Sequence, residues 1–344
     1  MPLTMDVFNA DAFTALSMTE AVERNPYMPT GLGTLDIFTP EPLTTTGLIV
    51  EELDGQLSII QTSARGEPLA SRPKDRRKAR YFETPRIAKE ATIHAHELQN
   101  VRAYGNTSEL MSLQMRIARD VNGPTGLTSQ VEYTWEHMRL GAVQGILLDA
   151  DGSVIYNWFD EFGIVQPAEI DFNLDAAEPV PGALRILCNG VARSVARRSK
   201  GAFVASSRVH ALCGDEFWDK FTTHPDVERT YLNQQEAAEL RKGNAFGSFE
   251  FGDITWNNYR GSDDNTEIAI PSDKVKFFPV GAPGVFSRAL SPAETFDFVN
   301  TPGKDIYVIP VTDKDRNAWW KAEVYSYPLF ICKRPEVLLR GKLT

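Results

Sequence analysis

Thr45-Thr46-Gly47-Leu48-Ile49-Val50-Glu51-Glu52-Leu53-Asp54-Gly55-Gln56-Leu57-Ser58-Ile59-Ile60 decides how the rest of this chain is read. β-Branched and apolar residues dominate it and an Asp-Gly pair interrupts it, so it predicts a strand. The adjoining stretch, from Arg65-Gly66-Glu67-Pro68 through Arg72-Pro73-Lys74-Asp75-Arg76-Arg77-Lys78-Ala79-Arg80, is dense in glycine, proline and charge and reads as an exposed tip. The chain then returns through Tyr81-Phe82-Glu83-Thr84-Pro85-Arg86-Ile87. Residues 45–90 thus predict one long β-hairpin with no core of its own. Limbs of roughly fifteen to twenty residues reach on the order of 50 to 65 Å at about 3.3 Å per residue, further than a compact domain covers. A lone two-stranded ribbon is marginal in water, so its second packing surface has to come from another molecule. The pattern points to assembly.

Composition narrows the classes. With 344 residues, 42% of them hydrophobic, the chain can bury substantial cores, and its length is that of about two domains. Its 46 acidic against 36 basic residues leave a net charge of -10, which argues against a protein that coats duplex DNA by neutralising phosphates. Cys188, Cys213 and Cys332 are odd in number and widely spaced, a pattern expected of reduced thiols. No apolar run reaches the roughly twenty residues needed to cross a bilayer, and Met1-Pro2-Leu3-Thr4-Met5-Asp6 lacks the basic start of a signal peptide. Neither membrane insertion nor secretion is expected.

Ahead of the hairpin, Phe8, Ala12 and Leu16 have helical spacing, but Pro26, Pro29, Pro40, Pro42 and Pro68 forbid a continuous helix, and residues 1–44 predict an extended arm. Behind it, Thr107 or Ser108 caps a helix running to Asp120 with apolar positions Leu110, Leu113, Ile117 and Val121. Asn122-Gly123-Pro124-Thr125-Gly126 breaks or kinks that helix, and 127–145 resumes it through Val131, Trp135, Met138 and Ala142, giving an interrupted spine. Residues 145–159 predict a second hairpin about Asp151-Gly152. After a polar stretch at 175–181 a new domain opens with a helix over 182–200, whose stripe is Ala183, Leu187, Val191 and Val195. Phe203-Val204-Ala205 reads as strand, 215–221 and 225–241 as helix, and 248–251 and 254–256 as short strands. Beyond the acidic loop 262–267, strands at 307–310, 322–327 and 336–339 are expected to return and complete the earlier sheet.

Chemistry-bearing patterns are sparse. His210-Ala211-Leu212-Cys213 with Asp215 lacks the second ligand pair a structural zinc needs, and His94-Ala95-His96, expected to share one strand face, has no third ligand. No nucleophile elbow, P-loop or dinucleotide fingerprint occurs. Glu132 and Glu136 beside Arg139, and Glu236 and Glu239 beside Lys242, read as solvated or salt-bridged helix faces. Arg193, Arg197, Arg198 and Lys200 complement the end of their helix. The run from Arg72 to Arg80 has no interleaved aromatics, so contact with an acidic patch on an adjacent subunit is favoured over a nucleic-acid arm. No catalytic, cofactor or metal residue is assigned. The candidate assembly contacts are Arg65, Arg72, Lys74, Arg76, Arg77, Lys78 and Arg80.

Several stretches carry a resemblance when taken together: Gly66-Glu67-Pro68, Thr84-Pro85-Arg86-Ile87, Leu98-Gln99-Asn100-Val101-Arg102-Ala103-Tyr104-Gly105 and Arg139-Leu140-Gly141-Ala142-Val143-Gln144-Gly145. Asp149-Ala150-Asp151-Gly152-Ser153-Val154-Ile155-Tyr156-Asn157, Phe249 through Tyr259-Arg260-Gly261, Val299-Asn300-Thr301-Pro302-Gly303, Tyr327-Pro328-Leu329 and Arg334-Pro335-Glu336 extend it. With the order of parts, they make the chain similar to major capsid proteins of tailed phages, and most closely to the lambda-type major capsid protein E family. The resemblance implies an α+β chain of the Hong Kong 97-type capsid fold: N-terminal arm over 1–44, E-loop over 45–90, peripheral domain with its spine helix over 91–181 and 297–344, and axial domain over 182–296.

It further implies a head protein that assembles with itself into hexamers and pentamers of an icosahedral shell enclosing double-stranded DNA, without sequence-specific DNA contacts and without a membrane. An acidic wall repels packed DNA. A portal protein and a decoration protein are implied partners, and the short segment ahead of the E-loop makes a separate scaffolding protein the expectation. The location implied is the virion capsid, assembled in the host bacterial cytoplasm. Two rival classes remain: the shell of a cellular protein compartment with the same fold, and a soluble acidic enzyme, which would need a convergent site that the sequence does not display.

Overall fold

The computed structural model describes residues 27–54, 76–98, 113–232, 247–263 and 266–344. A single helical turn, Gly31–Thr34, leads to strand β1 (Thr39–Pro42) and then to the hairpin, β2 (Gly47–Asp54) with β3 (Arg76–Glu83). The two are antiparallel, with Leu48 opposite Phe82 and Asp54 opposite Arg76. The return limb therefore begins earlier than the charge density implied: Arg76 to Arg80 lie in a strand rather than at a tip. Nor is the hairpin without a core of its own, because Leu48, Val50 and Phe82 on one face are buried against the same chain. The next strand, β4 (Ile87–His94), turns away into a different sheet.

The expected spine break is present. Helix α1 (Leu113–Asn122) and helix α2 (Leu127–Gln144) are separate. Carbonyls left open at the end of α1 are taken up by hydroxyls of the first turn of α2: Thr128 donates to Val121 O at 2.8 Å and Ser129 to Gly123 O at 2.9 Å. Val131, Trp135, Met138 and Ala142 are buried on α2 as their spacing predicted, and Gly145, at φ 86°, ends the helix in the left-handed region. The second hairpin comes next as β5 (Ile146–Leu148) and β6 (Val154–Asn157), shorter than expected because Trp158 to Phe162 form helix α3 (Trp158–Phe162), capped by Asn157.

Strand β7 (Ile170–Asp171) precedes helix α4 (Ala183–Arg198). Its buried stripe is Leu184, Cys188, Val191 and Val195; Ala183 is exposed and Leu187 only half-buried, a correction of one position at the helix start. Phe203-Val204-Ala205 is not a strand. The chain turns there and enters β8 (Arg208–Cys213) instead. Helices α5 (Asp215–Thr222) and α6 (Pro225–Leu232) precede the strands β9 (Ser248–Phe251), β10 (Ile254–Asn258), β11 (Lys274–Val280) and β12 (Phe286–Leu290). The last two lie outside the strands expected from sequence. The returning set is β13 (Tyr307–Thr312), β14 (Trp319–Ser326), β15 (Pro328–Cys332) and β16 (Leu339–Lys342), with Pro335 to Val337 in a 3-10 turn where a strand was expected.

Among the described residues these strands build a six-stranded sheet of order β7-β16-β11-β8-β10-β9, two three-stranded sheets, β1-β12-β15 and β13-β14-β4, and the two hairpins. In the large sheet Val209, Ala211 and Cys213 share a face with Ile254, Trp256, Val275 and Phe277, and all are essentially solvent-free. Phe217 and Phe221 of α5 stack on Trp256, the latter at 3.9 Å between ring centroids. Aromatic burial of this kind contributes about 1.5–3 kcal/mol per side chain and makes this layer the firm part of the molecule. As expected, the late strands complete an early one: β14 pairs with β4 from Trp319 opposite His94 to Ser326 opposite Ile87.

Candidate assembly interface

The hairpin base is built by alternation. Leu48, Val50, Arg80 and Phe82 face inward, and the ring of Phe82 meets Trp158, Tyr156 and Phe162 at 5.5, 5.7 and 5.9 Å. The Tyr156 hydroxyl accepts from Glu83 N and donates to Glu83 O, each at 3.0 Å, which fixes the strand end. Arg80 closes the arrangement by donating to Glu52 Oε2 at 2.7 Å and Phe162 O at 3.2 Å, with its guanidinium 5.0 Å from the Phe162 ring centre. On the opposite face Ile49 lies directly across from Tyr81, and these side chains are 62% and 60% exposed. The Tyr81 ring covers Gly47, where an added Cβ would meet it at 2.4 Å. The pair forms a small apolar spot on the open face of the ribbon.

The predicted contact residues divide accordingly. Arg77 and Lys78 are exposed on β3, while Arg80 is engaged within its own chain. Arg76 lies at the strand end, and Arg65, Arg72 and Lys74 fall outside the described residues. Composition draws attention to the cations but not to Ile49 and Tyr81; strict alternation along β2 and β3 is the signal that finds them.

A second junction has no signature in the sequence. Glu136 is completely buried, not solvated. Its carboxylate accepts from Leu32 N at 2.7 Å, Gly33 N at 3.1 Å, the Tyr259 hydroxyl at 3.1 Å and Arg139 Nη1 at 3.1 Å. Burial, reinforced by this carboxylate, pushes the Tyr259 phenol far above its ordinary range. The same N-terminal segment is held again at Tyr27, whose N–H donates to Asp263 at 3.0 Å and whose ring lies 3.7 Å from the Arg260 guanidinium. Glu132, one turn earlier on α2, is exposed as expected.

Among the described residues, side chains for other chemistry do not converge. Among the described residues no group of three or more His, Cys, Asp or Glu can hold a metal ion. His210 and Cys213 project to opposite faces of β8, and Cys213 is fully buried. His96 sits in a 3-10 turn after β4 rather than on the strand, its ring 5.5 Å from that of His94. The three thiols are free, and burial raises all of them well above the ordinary cysteine range. A cavity of about 290 Å³ beside α4 is lined by Phe172, Val180, Leu184, Leu187 and His224, together with Asp171 and Glu178. No helix among the described residues is long and apolar enough to cross a membrane.

Comparison with known proteins identifies the family. The family described as phage major capsid protein E matches residues 14–343. The major capsid protein of Salmonella phage Felix O1 is 25% identical, the match covering 95% of both chains. That of Pseudomonas phage KPP10 is 26% identical over 90% of both. In fold the chain is similar to the capsid of cyanophage P-SCSP1u, with a TM-score of 0.50 at 8% identity over 94% of this chain and 91% of the other. The capsid of a native GTA particle gives the same TM-score of 0.50 at 10% identity, over 97% and 99%.

Proposed function

The chain belongs to the phage major capsid protein E family, and on that premise we propose that it closes into hexamers and pentamers of an icosahedral shell around double-stranded DNA. It is a major capsid protein, structural rather than enzymatic. Its α+β fold is that of the Hong Kong 97-type phage capsids. The observation that carries the shell reading is the hairpin: one face is anchored by Phe82 and Arg80, and the other presents Ile49 and Tyr81, which no element among the described residues covers. That face lies on the neighbouring subunit, and Arg77 and Lys78, with Arg65, Arg72, Lys74 and Arg76, meet acidic groups there. The N-terminal arm spans 1–44 and the E-loop 45–90, the peripheral domain takes 91–181 with 297–344, and the axial domain lies between. Many modest interfaces around each subunit hold the shell, since a contact that opens is re-formed while the others persist. A separate scaffolding protein, a portal and a decoration protein are the proposed partners, and assembly takes place in the host cytoplasm.

The test spares the anchored base. Replacing residues 55–75 with an Asn-Gly turn joins Asp54 to Arg76 across the observed register. The variant is expected to fold, with unchanged near-ultraviolet dichroism, and to yield no shells by electron microscopy. Shells of normal size from this variant would refute the reading.

A further inference from the structure

On the large sheet, β11 and β16 set two pairs of cations directly opposite each other: Lys274 faces Lys342, and Lys276 faces Arg340. The first pair is compensated. Lys274 lies 3.1 Å from Glu169 and 3.2 Å from Asp273, and Lys342 lies 3.5 Å from Asp171. Among the described residues neither Lys276 nor Arg340 forms an ion pair within 4 Å, although both are partly buried. Arg340 Nε is wholly enclosed and donates to nothing there. Lys276 holds its proton less tightly than an ordinary lysine, first through burial and then through Arg340, with Glu169 and Asp273 offsetting only part of this. Like charges directly opposite on adjacent strands destabilise a sheet, and an enclosed charged donor without an acceptor costs more still. In a chain with 46 acidic and 36 basic residues such a pair is anomalous unless an anion arrives from outside.

Resting on the shell reading above, we propose that Lys276 and Arg340 form a receptor for a carboxylate side chain of a second copy of this chain. The pair is recessed in the sheet, with buried Leu212 and Phe278 beside Lys276. A single Asp or Glu side chain can reach such a recess, whereas duplex phosphates are met by protruding cations. The net charge of -10 ensures that each neighbour brings carboxylates in excess.

Carbodiimide coupling tests this directly. The reagent activates a carboxyl group, the lysine amine displaces it as an amide, and the reagent leaves as a urea. DNA-free shells assembled from equal amounts of unlabelled and nitrogen-15-labelled chain are treated and mapped by mass spectrometry. The expected product is a mixed-isotope peptide joining Lys276 to an Asp or Glu. The Lys274–Glu169 contact at 3.1 Å supplies a same-isotope control within one chain. Formation of the control without a mixed-isotope Lys276 product overturns the proposal, as does protection of Lys276 from acetylation only in DNA-filled shells, which assigns the pair to phosphate. Lys276→Met with Arg340→Met is expected to leave the dissociated subunit at least as resistant to urea while raising the threshold concentration for assembly about tenfold or more. An unchanged threshold overturns the proposal too. If the wild-type chain forms no shells, the shell reading itself fails and takes this inference with it, whereas shells lacking the Lys276 product remove only the inference.

Discussion

Changing Glu136 to alanine removes the acceptor on which Leu32 N, Gly33 N, the Tyr259 hydroxyl and Arg139 converge, at 2.7 to 3.1 Å. The carboxylate is completely buried and Arg139 is only 16% exposed, so solvent cannot replace the lost partner without local opening. Breaking a buried ion pair from one side costs about 3–5 kcal/mol, and each orphaned amide or hydroxyl adds to the same opening rather than independently. Taking about 3 kcal/mol as the local loss, amide exchange at Leu32 and Gly33 should accelerate on the order of a hundredfold. Hydrogen-exchange mass spectrometry over 27–43 measures this, with β11 as the internal reference, which should not change. Glu136→Gln is expected to fall between, since it keeps one acceptor but turns an amide nitrogen toward two donors. Exchange at Leu32 and Gly33 within about threefold of wild type in the alanine variant would refute the assignment of Glu136 as the junction.

Alkaline conditions should weaken the fold through its buried thiols. The raised values of Cys188, Cys213 and Cys332 give stability that is complete below the unfolded thiol value of about 8.5 and is lost as pH rises, at about 1.4 kcal/mol per pH unit for each group. Urea midpoints between pH 8 and 10 should therefore fall, and Cys332→Ala should remove about a third of the slope. Arg80→Ala should loosen the hairpin base by about 1–2 kcal/mol, from one ion pair and one cation–π contact, read as faster exchange in β2. Arg77→Glu with Lys78→Glu should leave subunit stability within about 0.5 kcal/mol while making assembly yield depend differently on salt, because exposed ionic contacts are screened over about 8–10 Å. Gly190→Ala on α4, where a Cβ meets nothing within 4 Å, should stabilise by about 0.5–1 kcal/mol in thermal melts. Gly261→Ala, whose Cβ would lie 1.8 Å from Ile268 O, should instead cost several kcal/mol, on the order of a small domain's tolerance.

The elements legible in the sequence were those with a local signal. Residues 149–153 could only turn, Gly123 and Pro124 could only interrupt a helix, and the spacing of Val131, Trp135 and Met138 marked a buried face. What escaped was set by distant partners. Pro328 to Cys332 are buried at every position, so β15 lacks the alternation that announces a strand. Residues 274–280 include Pro279, a residue rare inside a sheet, but it pairs with Val209 beyond the end of β16, where no second neighbour needs its missing N–H. The inward turn of Glu136 was equally invisible, because its partners Leu32 and Tyr259 are 104 and 123 residues away. Charge density alone placed Arg76 to Arg80 at a tip, although Arg80 and Phe82 obey the two-residue period of a strand whose inner face is spent on Glu52 and Phe162.

That division of the hairpin bears on why a shell of such subunits closes at all. Its paired limbs span eight residues each, about 26 Å at strand rise, and among the side chains described there only Leu48, Val50 and Phe82 are buried. Beyond Arg80 the return strand is exposed at Arg77, Lys78 and Ala79, so at these positions the ribbon has hydrogen bonds without packed side chains. A two-stranded ribbon in that condition is marginal by itself. In the proposed contact its missing face is supplied by a neighbour, so part of the binding energy goes into ordering the ribbon and the net strength of one contact stays modest. Modest contacts dissociate readily when a subunit docks wrongly, yet several acting on a correctly placed subunit multiply in effect. The anchored base gives direction to this weak element: Phe82 and Arg80 fix where the ribbon leaves the subunit, so its weakness permits correction without loss of geometry.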